Sequence, residues 1–345
     1  MRASAPAQGQ SAVSYTHPRP PFGEPVEVVE GLYWLRLPLP LRLDHVNAWL
    51  IREDDGFLAV DTGFDTPETR AIWERVLQRF PVRRVLATHH HPDHIGLAGW
   101  LCARTGAELW TSRMAWTTAR MLALDTSEAF LDAHERHDRM AGLPEELVRA
   151  RRAAGNLWRS RAGAPPGFHQ RLREGELFRA GRFAFRVMLG EGHAPEMVTL
   201  WDAEAGILIA ADQILPRISP VVGLPPSQPG SDPLADFLES IRRYLELPEE
   251  VLVLPSHGRP FLGLHARIRE LTRHHDERLA RALSACAEPR TAFEIMPRLF
   301  DFEIDRGQLG FALGETLAHL QHLHRRGEVA RIAGEDGALR WVRRG

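Results

Sequence analysis

Five metal-competent side chains stand within six residues at His89-His90-His91-Pro92-Asp93-His94, directly after the apolar run Arg84–Thr88. Any fold of this chain must end a buried strand there and turn sharply. In an extended segment, residues two apart lie on the same side. His89 and His91 are therefore expected to converge on one ion while His90 points away. Pro92 ends the extended stretch, so Asp93 and His94 can face a second ion beside the first. Imidazole nitrogen and carboxylate oxygen suit zinc, and a His-rich site without Cys fits a catalytic better than a structural ion. Three further islands, Gly192-His193-Ala194-Pro195, Ala211-Asp212 and Pro255-Ser256-His257-Gly258, each follow a strand-like run and open a loop. An isolated His or Asp is structural or superficial more often than not. Four such islands in this order place ligands at the ends of several strands, as a site on the rim of a sheet requires.

The rest of the chain supplies the strands. Val26–Val29, Leu32–Leu37, Val46–Ile51 and Phe57–Val60 have strand character, with a turn at Asp54-Asp55-Gly56. Thr66 as N-cap and Pro67 in the first turn start a helix running to Phe80, and a second helix is expected from about Ile95 to Arg104, stopped by Gly106. Strand signals resume at Phe183–Leu189, Thr199–Trp201, Ile207–Ala210 and Val251–Leu254, while five prolines make Arg217–Pro233 a loop. Between the two blocks, about residues 112–175 are strongly helical and carry Met114, Trp116, Met121, Leu124, Phe130 and Trp158. This insert is expected to bury most of them in a core of its own and to line a substrate pocket with a few. Residues 1–25, with Pro18, Pro20, Pro21 and Pro25, are expected to form a flexible arm.

Composition narrows the chemistry. Every basic side chain apart from histidine is Arg; with no Lys in the sequence, Schiff-base chemistry and Lys-dependent phosphate loops are excluded. A net charge of −2 gives no general electrostatic pull toward nucleic acid or an anionic membrane. Cys102 and Cys286 form no framework, and the N-terminus has no apolar signal core. No segment approaches the roughly 20 apolar residues of a membrane span. A cytoplasmic protein is expected.

His89-x-His91-x-Asp93-His94, followed by His193, Asp212 and His257, resembles the full ligand set of the metallo-β-lactamase superfamily, over roughly residues 26–265. The Asp61-Thr62-Gly63 turn and the Val46–Ile51 strand also sit where that family has equivalents. The resemblance implies a mixed α/β fold, an αββα sandwich with the metals at one edge. It implies two Zn²⁺ ions (iron or manganese in some relatives), the first held by His89, His91 and His193, the second by Asp93, His94 and His257, with Asp212 bridging. A hydroxide shared by the ions would attack an electrophilic carbonyl or phosphorus, with Asp93 as the catalytic residue passing a proton to the leaving group. One departure is informative: Ala194-Pro195-Glu196-Met197 replaces the Thr-Pro-Gly-His run of thioesterase and lactonase relatives.

After a linking amphipathic helix, the chain ends in helices near Thr291–Leu299 and Gln308–Arg326 and a hairpin, Val329–Ala333 with Ala338–Val342. Residues 266–345 thus resemble a linker helix plus a small winged-helix-like domain, suited to dimerisation or pocket closure. His319, His322 and His324 with Arg325-Arg326 would make either a phosphate-contacting face or, more simply, a solvated helix end. The favoured function is hydrolysis of a thioester, ester or lactone, the partner being a small-molecule substrate. The alternatives are a single-strand-specific endoribonuclease and a catalytically silent nucleic-acid-binding regulator.

Overall fold

The computed structural model describes residues 13–305 and 307–344. Two seven-stranded sheets form the framework. In the first, the order is Val26–Val29, Leu32–Pro38, His45–Glu53, Gly56–Val60, Val82–Leu86, Glu108–Thr111, Gln170–Arg171, with three antiparallel pairings followed by three parallel ones. In the second, the order is Ser14–Tyr15, Phe261–Leu262, Leu252–Pro255, Ile207–Ala211, Met197–Asp202, Phe183–Gly190, Leu177–Ala180, and only the pairing of Ile207–Ala211 with Leu252–Pro255 is parallel.

The sheets face each other through an apolar layer in which Trp34, Trp49, Ile51 and Leu58 meet Phe185, Val187, Leu200 and Ile209. Alternate residues of the same strands, such as Tyr33, Leu35 and Leu50, point to the outer face. Helices α1 (Pro67–Leu77), α2 (Pro92–Ile95), α3 (Ala98–Thr105) and α4 (Arg113–Leu124) follow, and α1, α3 and α4 cover that face with Trp73, Leu101 and Ala119. Both faces of the sheet are covered, so His45 to Ile51 is buried at every position. Helices α5 (Glu128–Met140), α6 (Glu145–Ala154), α7 (Pro233–Arg242), α8 (Leu264–Ala285), α9 (Ala292–Ile295) and α10 (Leu309–Arg325) complete the helical part. The outer face of the second sheet packs on α7, α8 and α10 through residues such as Phe237, Leu271 and Leu317. The molecule is therefore layered helix–sheet–sheet–helix, with a C-terminal part whose small sheet joins Arg290–Thr291, Leu339–Arg343 and Val329–Ala333. No helix among the described residues is long and apolar enough to cross a membrane.

Three expectations change. The flexible arm is corrected from Val13 onward, residues 1–12 lying outside the described residues. Ser14–Tyr15 pairs with Phe261–Leu262, while the carbonyls of His17 and Pro20 accept from Arg259 and Arg36 at 2.8 and 3.0 Å. A proline lacks the donor but keeps its carbonyl, as at Pro20, while Thr16 and Gly23 donate from their N–H groups to Pro260 O and Arg36 O at 3.2 and 2.9 Å. The expected helix from Ile95 to Arg104 is broken at Gly96-Leu97, because the Leu97 N–H is taken by Thr62 Oγ1 at 3.1 Å. The helical insert has no core of its own. Ala119, Ala123 and Trp158 join the core outside the first sheet, whereas Ala141, Leu143 and Val148 join that of the C-terminal part. Met121 and Leu124 are left 44% and 60% exposed, too open for either core.

Candidate metal centre

The strands of each parallel pair run in the same direction, so their C-terminal ends emerge together at one edge of the sandwich. In the first sheet Gly56–Val60 delivers Asp61 there, and Val82–Leu86 delivers Thr88 and the histidine run. In the second, Ile207–Ala211 delivers Asp212 and Leu252–Pro255 delivers His257. Asn47 ties the two sheets at that edge: its backbone N–H donates to Ser256 O at 2.7 Å and its amide to Pro255 O and Gly258 O at 2.8 and 3.0 Å. Trp34 Nε1 donates to the Asn47 side-chain oxygen at 2.7 Å and fixes its orientation.

All seven expected ligands are brought to one place. His89, His91 and His193 form one group with ligand atoms within 4.8 Å of one another; Asp93, His94 and His257 form a second, and His89, His94 and Asp212 a third linking them. Asp212 lies between the first two groups, its oxygens 3.4 Å from His193 Nε2, 3.7 Å from His94 Nε2 and 3.3 Å from His257 Nε2. Asp93 Oδ2 is 3.5 Å from His94 Nε2 and 3.4 Å from His257 Nε2. His89 Nε2 and His91 Nδ1 approach to 3.0 Å. His90 joins none of these groups; its carbonyl accepts from Trp158 Nε1 at 2.9 Å.

The far side of four of the five rings is held by an acceptor. His193 Nδ1 reaches Val221 O, His257 Nδ1 reaches His45 O, and His94 Nδ1 reaches Asp61 Oδ2, each at 2.8 Å. Thr88 Oγ1 donates to Asp61 and so accepts from His89 Nδ1 at 3.0 Å. An acceptor at Nδ1 places the proton there and leaves the Nε2 lone pair facing the shared space. His94 Nε2, His193 Nε2 and Asp212 Oδ1 are buried without a hydrogen-bond partner. Orphaned acceptors pointing at one space are costly unless a cation takes them up, so this donor set fits divalent metal ions.

The electrostatics agree. Burial, reinforced by neighbouring imidazoles, holds His89 and His91 well below the usual histidine range, and burial likewise lowers His193. Burial works the same way on His257, but Asp212 and Asp93 outweigh it and push that ring up to about 10. His94 is also raised, by Asp93, Asp61 and Asp212 against its burial. Asp93 and Asp212 stay far below the carboxylate range despite burial, held there by His94 and His257. The carboxylates thus demand positive charge that the lower-lying imidazoles do not carry.

Backbone strain gathers at the same edge: the non-glycine residues at positive φ are Asp61 (62°), Glu196 (47°) and Ala211 (48°), among the described residues. The loop bearing His193 is braced by α7, where Ser240 Oγ accepts from Glu191 N at 3.1 Å. Gly192, at φ 92°, lies so close that a Cβ would meet Phe237 Cβ at 2.3 Å and Phe237 Cα and N at 2.5 Å. Gly192→Ala is expected to cost about 2–4 kcal/mol, from overpacking plus left-handed strain, and to loosen metal retention. Urea denaturation and metal analysis check both; an unchanged midpoint would contradict the close approach.

Sequence reasoning gave Asp61, Asn47 and Glu196 no role, and it had no means of finding the carbonyls of His45 and Val221, since any residue offers one. Asp61 was visible only as part of a turn motif. The C-terminal histidines resolve differently from either expectation. His319 is fully buried, donating from Nδ1 to Glu315 O at 2.7 Å and accepting at Nε2 from His275 at 3.2 Å. Burial lowers His275 to about 2 and His319 to about 3, so both rings are neutral. They and Glu315 form a further metal-competent group, but the Glu315 carboxylate is engaged by Arg278 and the rings satisfy each other. His322 pairs with Asp232 and His324 with Val329 O. Arg325 and Arg326 lie at the exposed helix end, engaged by Gly230 O and Glu328.

Residues 41–257 match the model of the family described as the metallo-beta-lactamase superfamily, and residues 279–344 match a metallo-beta-lactamase-like C-terminal domain. The probable metallo-hydrolase YqjP of Bacillus subtilis (strain 168) is 25% identical over 309 residues, covering 85% of this chain and 92% of that protein. A hydroxyacylglutathione hydrolase of Albidiferax ferrireducens is 36% identical over 74 residues, only 21% of this chain and 28% of that enzyme. Among solved structures, a beta-lactamase domain protein from Burkholderia ambifaria superposes with a TM-score of 0.89 at 38% identity, covering 96% of this chain and 98% of that one. A metallo-beta-lactamase family protein from Thermus thermophilus gives 0.79 at 32% identity, covering 92% and 100%.

Proposed function

Because the chain belongs to the metallo-beta-lactamase superfamily and is a metal-dependent hydrolase, we propose that it is a dinuclear zinc enzyme that cleaves a thioester, ester or lactone. The observation carrying this reading is the undiminished donor set: five imidazoles and two carboxylates around one space, the distal nitrogens of His89, His94, His193 and His257 each fixed by an acceptor. His89, His91 and His193 would hold one ion, Asp93, His94 and His257 the other, and Asp212 both. Such a pair lowers the pKa of water to about 7 and polarises a carbonyl. Asp93, ionised and directed at the same space, is placed to take up a proton and hand it to the leaving group.

The acyl preference draws support from the insert, which reaches the centre through Trp158 at His90 O and through Met114 at Glu196, and presents Trp116, Met121 and Leu124. The stretch of similarity to a hydroxyacylglutathione hydrolase points to a thioester. The C-terminal part follows the helix–strand–helix–helix–strand–strand order of a winged helix, and we take it as one. Its α10, the helix that would enter a nucleic-acid groove, has 11 of its 17 residues buried. That weighs against the ribonuclease and regulator readings. Two buried free thiols, Cys102 and Cys286, accord with a reducing cytoplasm.

A panel of acyl thioesters and lactones tests the proposal. Metal-loaded protein is expected to turn over at least one, with activity lost on chelation and in His91→Ala. If none is turned over while a labelled single-stranded RNA is cleaved, the acyl reading is wrong.

A further inference from the structure

We propose that Glu196 is a positioning residue, a strained latch that ties the first helix of the insert to the loop carrying His193. Glu196 sits at φ 47°, a left-handed conformation that is strained for a non-glycine residue and readily adopted by glycine. A side chain kept there against that strain should do something glycine cannot, and its contacts show what. Glu196 Oε2 accepts from the backbone N–H of Met114 at 3.0 Å. Met114 is the second residue of α4, one of the N-terminal positions whose N–H has no partner within the helix. Ser112 caps the adjacent residue by accepting from Ala115 N at 3.1 Å, so the carboxylate satisfies a donor that the cap does not reach. It also meets the positive end of the helix dipole. The Glu196 backbone is anchored in turn, its N–H donating to Glu191 Oε1 at 3.2 Å.

The latch fixes more than one helix turn. Trp116, also on α4, donates from Nε1 to Pro166 O at 2.9 Å and stacks on His169 with ring centroids 4.7 Å apart. Arg120 donates to Pro165 O at 3.1 Å. Segment 165–169, including Phe168 at 67% exposure, therefore moves with α4. Three residues from His193, Glu196 sets how far the loop carrying that ligand stands from α4 and this segment, which we take as a wall offering Trp116 and Phe168 to the substrate. That wall selects the acyl part of the substrate, a role that rests on the proposed function; the latch itself does not.

The test compares metal-loaded wild type with Glu196→Gly and Glu196→Gln. Amide exchange of the peptide spanning residues 112–116 is expected to accelerate about tenfold in Glu196→Gly, the loss of one charge-assisted hydrogen bond, with Glu196→Gln in between. Metal content should be unchanged. For a long-chain acyl thioester, KM is expected to rise at least about fivefold with kcat within twofold, and Glu196→Gln should recover part of it. Unchanged exchange in Glu196→Gly overturns the latch. Faster exchange with KM unaltered for every acyl length overturns its control of the wall. A wild type that turns over no thioester, ester or lactone sinks the functional reading instead, and the exchange measurement still decides the latch.

Discussion

Asp212→Asn is expected to lower turnover at least about a thousandfold and to reduce bound metal from two equivalents to one or fewer. The substitution keeps the shape of the side chain and removes one charge from the point where the two ligand groups meet. Its oxygens stand 3.3–3.7 Å from His257, His94 and His193, and the residue is only 5% exposed. No neighbouring carboxylate can take its place, because Asp93 lies to the side of His94 and His257, and Asp61 is engaged behind His94. An amide oxygen is a weaker ligand and cannot neutralise two cations. Metal analysis after gel filtration, with thioester turnover, decides the matter. Two retained ions with turnover within tenfold of wild type would mean that Asp212 does not join the sites.

The second large effect belongs to Asp61, which is a member of none of the ligand groups. Its Oδ1 accepts from Thr88 N at 2.8 Å, and its Oδ2 from Thr88 Oγ1 at 2.9 Å, His94 Nδ1 at 2.8 Å and Ser256 Oγ at 3.4 Å. It is fully buried, so only an acceptor on both oxygens satisfies this set. Asp61→Asn is expected to weaken metal affinity about 10–100-fold, the usual cost of losing a ligand-orienting carboxylate. Stability should fall by roughly 1–3 kcal/mol, because the new NH₂ must face a donor. Asparagine tolerates positive φ as well as aspartate does, so backbone strain is not the cause. Chelator competition and urea denaturation measure the two quantities. Wild-type affinity in Asp61→Asn would show that His94 is oriented by packing alone.

How much of this was legible beforehand follows from the range of each signal. Strands such as Phe57–Val60 and Ile207–Ala210 were visible because burial on both faces writes a continuous apolar run, and their boundaries agree with the structure within a residue. The two-residue strands Ser14–Tyr15, Gln170–Arg171 and Phe261–Leu262 were not visible. Pairing there depends on a partner far along the chain, not on local composition. The insert showed its helices but not where they pack, since an amphipathic face does not specify which core it will join.

By itself the sequence determined the identity and order of the metal-competent residues, and their placement at strand ends, because ligand chemistry and strand periodicity are properties of side chains and near neighbours. Tertiary structure alone decided what holds those ligands in place, namely the carbonyls of Val221 and His45, the carboxylate of Asp61 and the sheet-to-sheet tie of Asn47, and it alone brought Glu196 to the start of α4. It also turned the C-terminal histidines inward, where burial leaves His319 neutral and inaccessible. Each of these joins residues tens to hundreds of positions apart through a backbone group or a strained torsion. A carbonyl has the same chemistry in every residue, so only the folded chain can say which one matters.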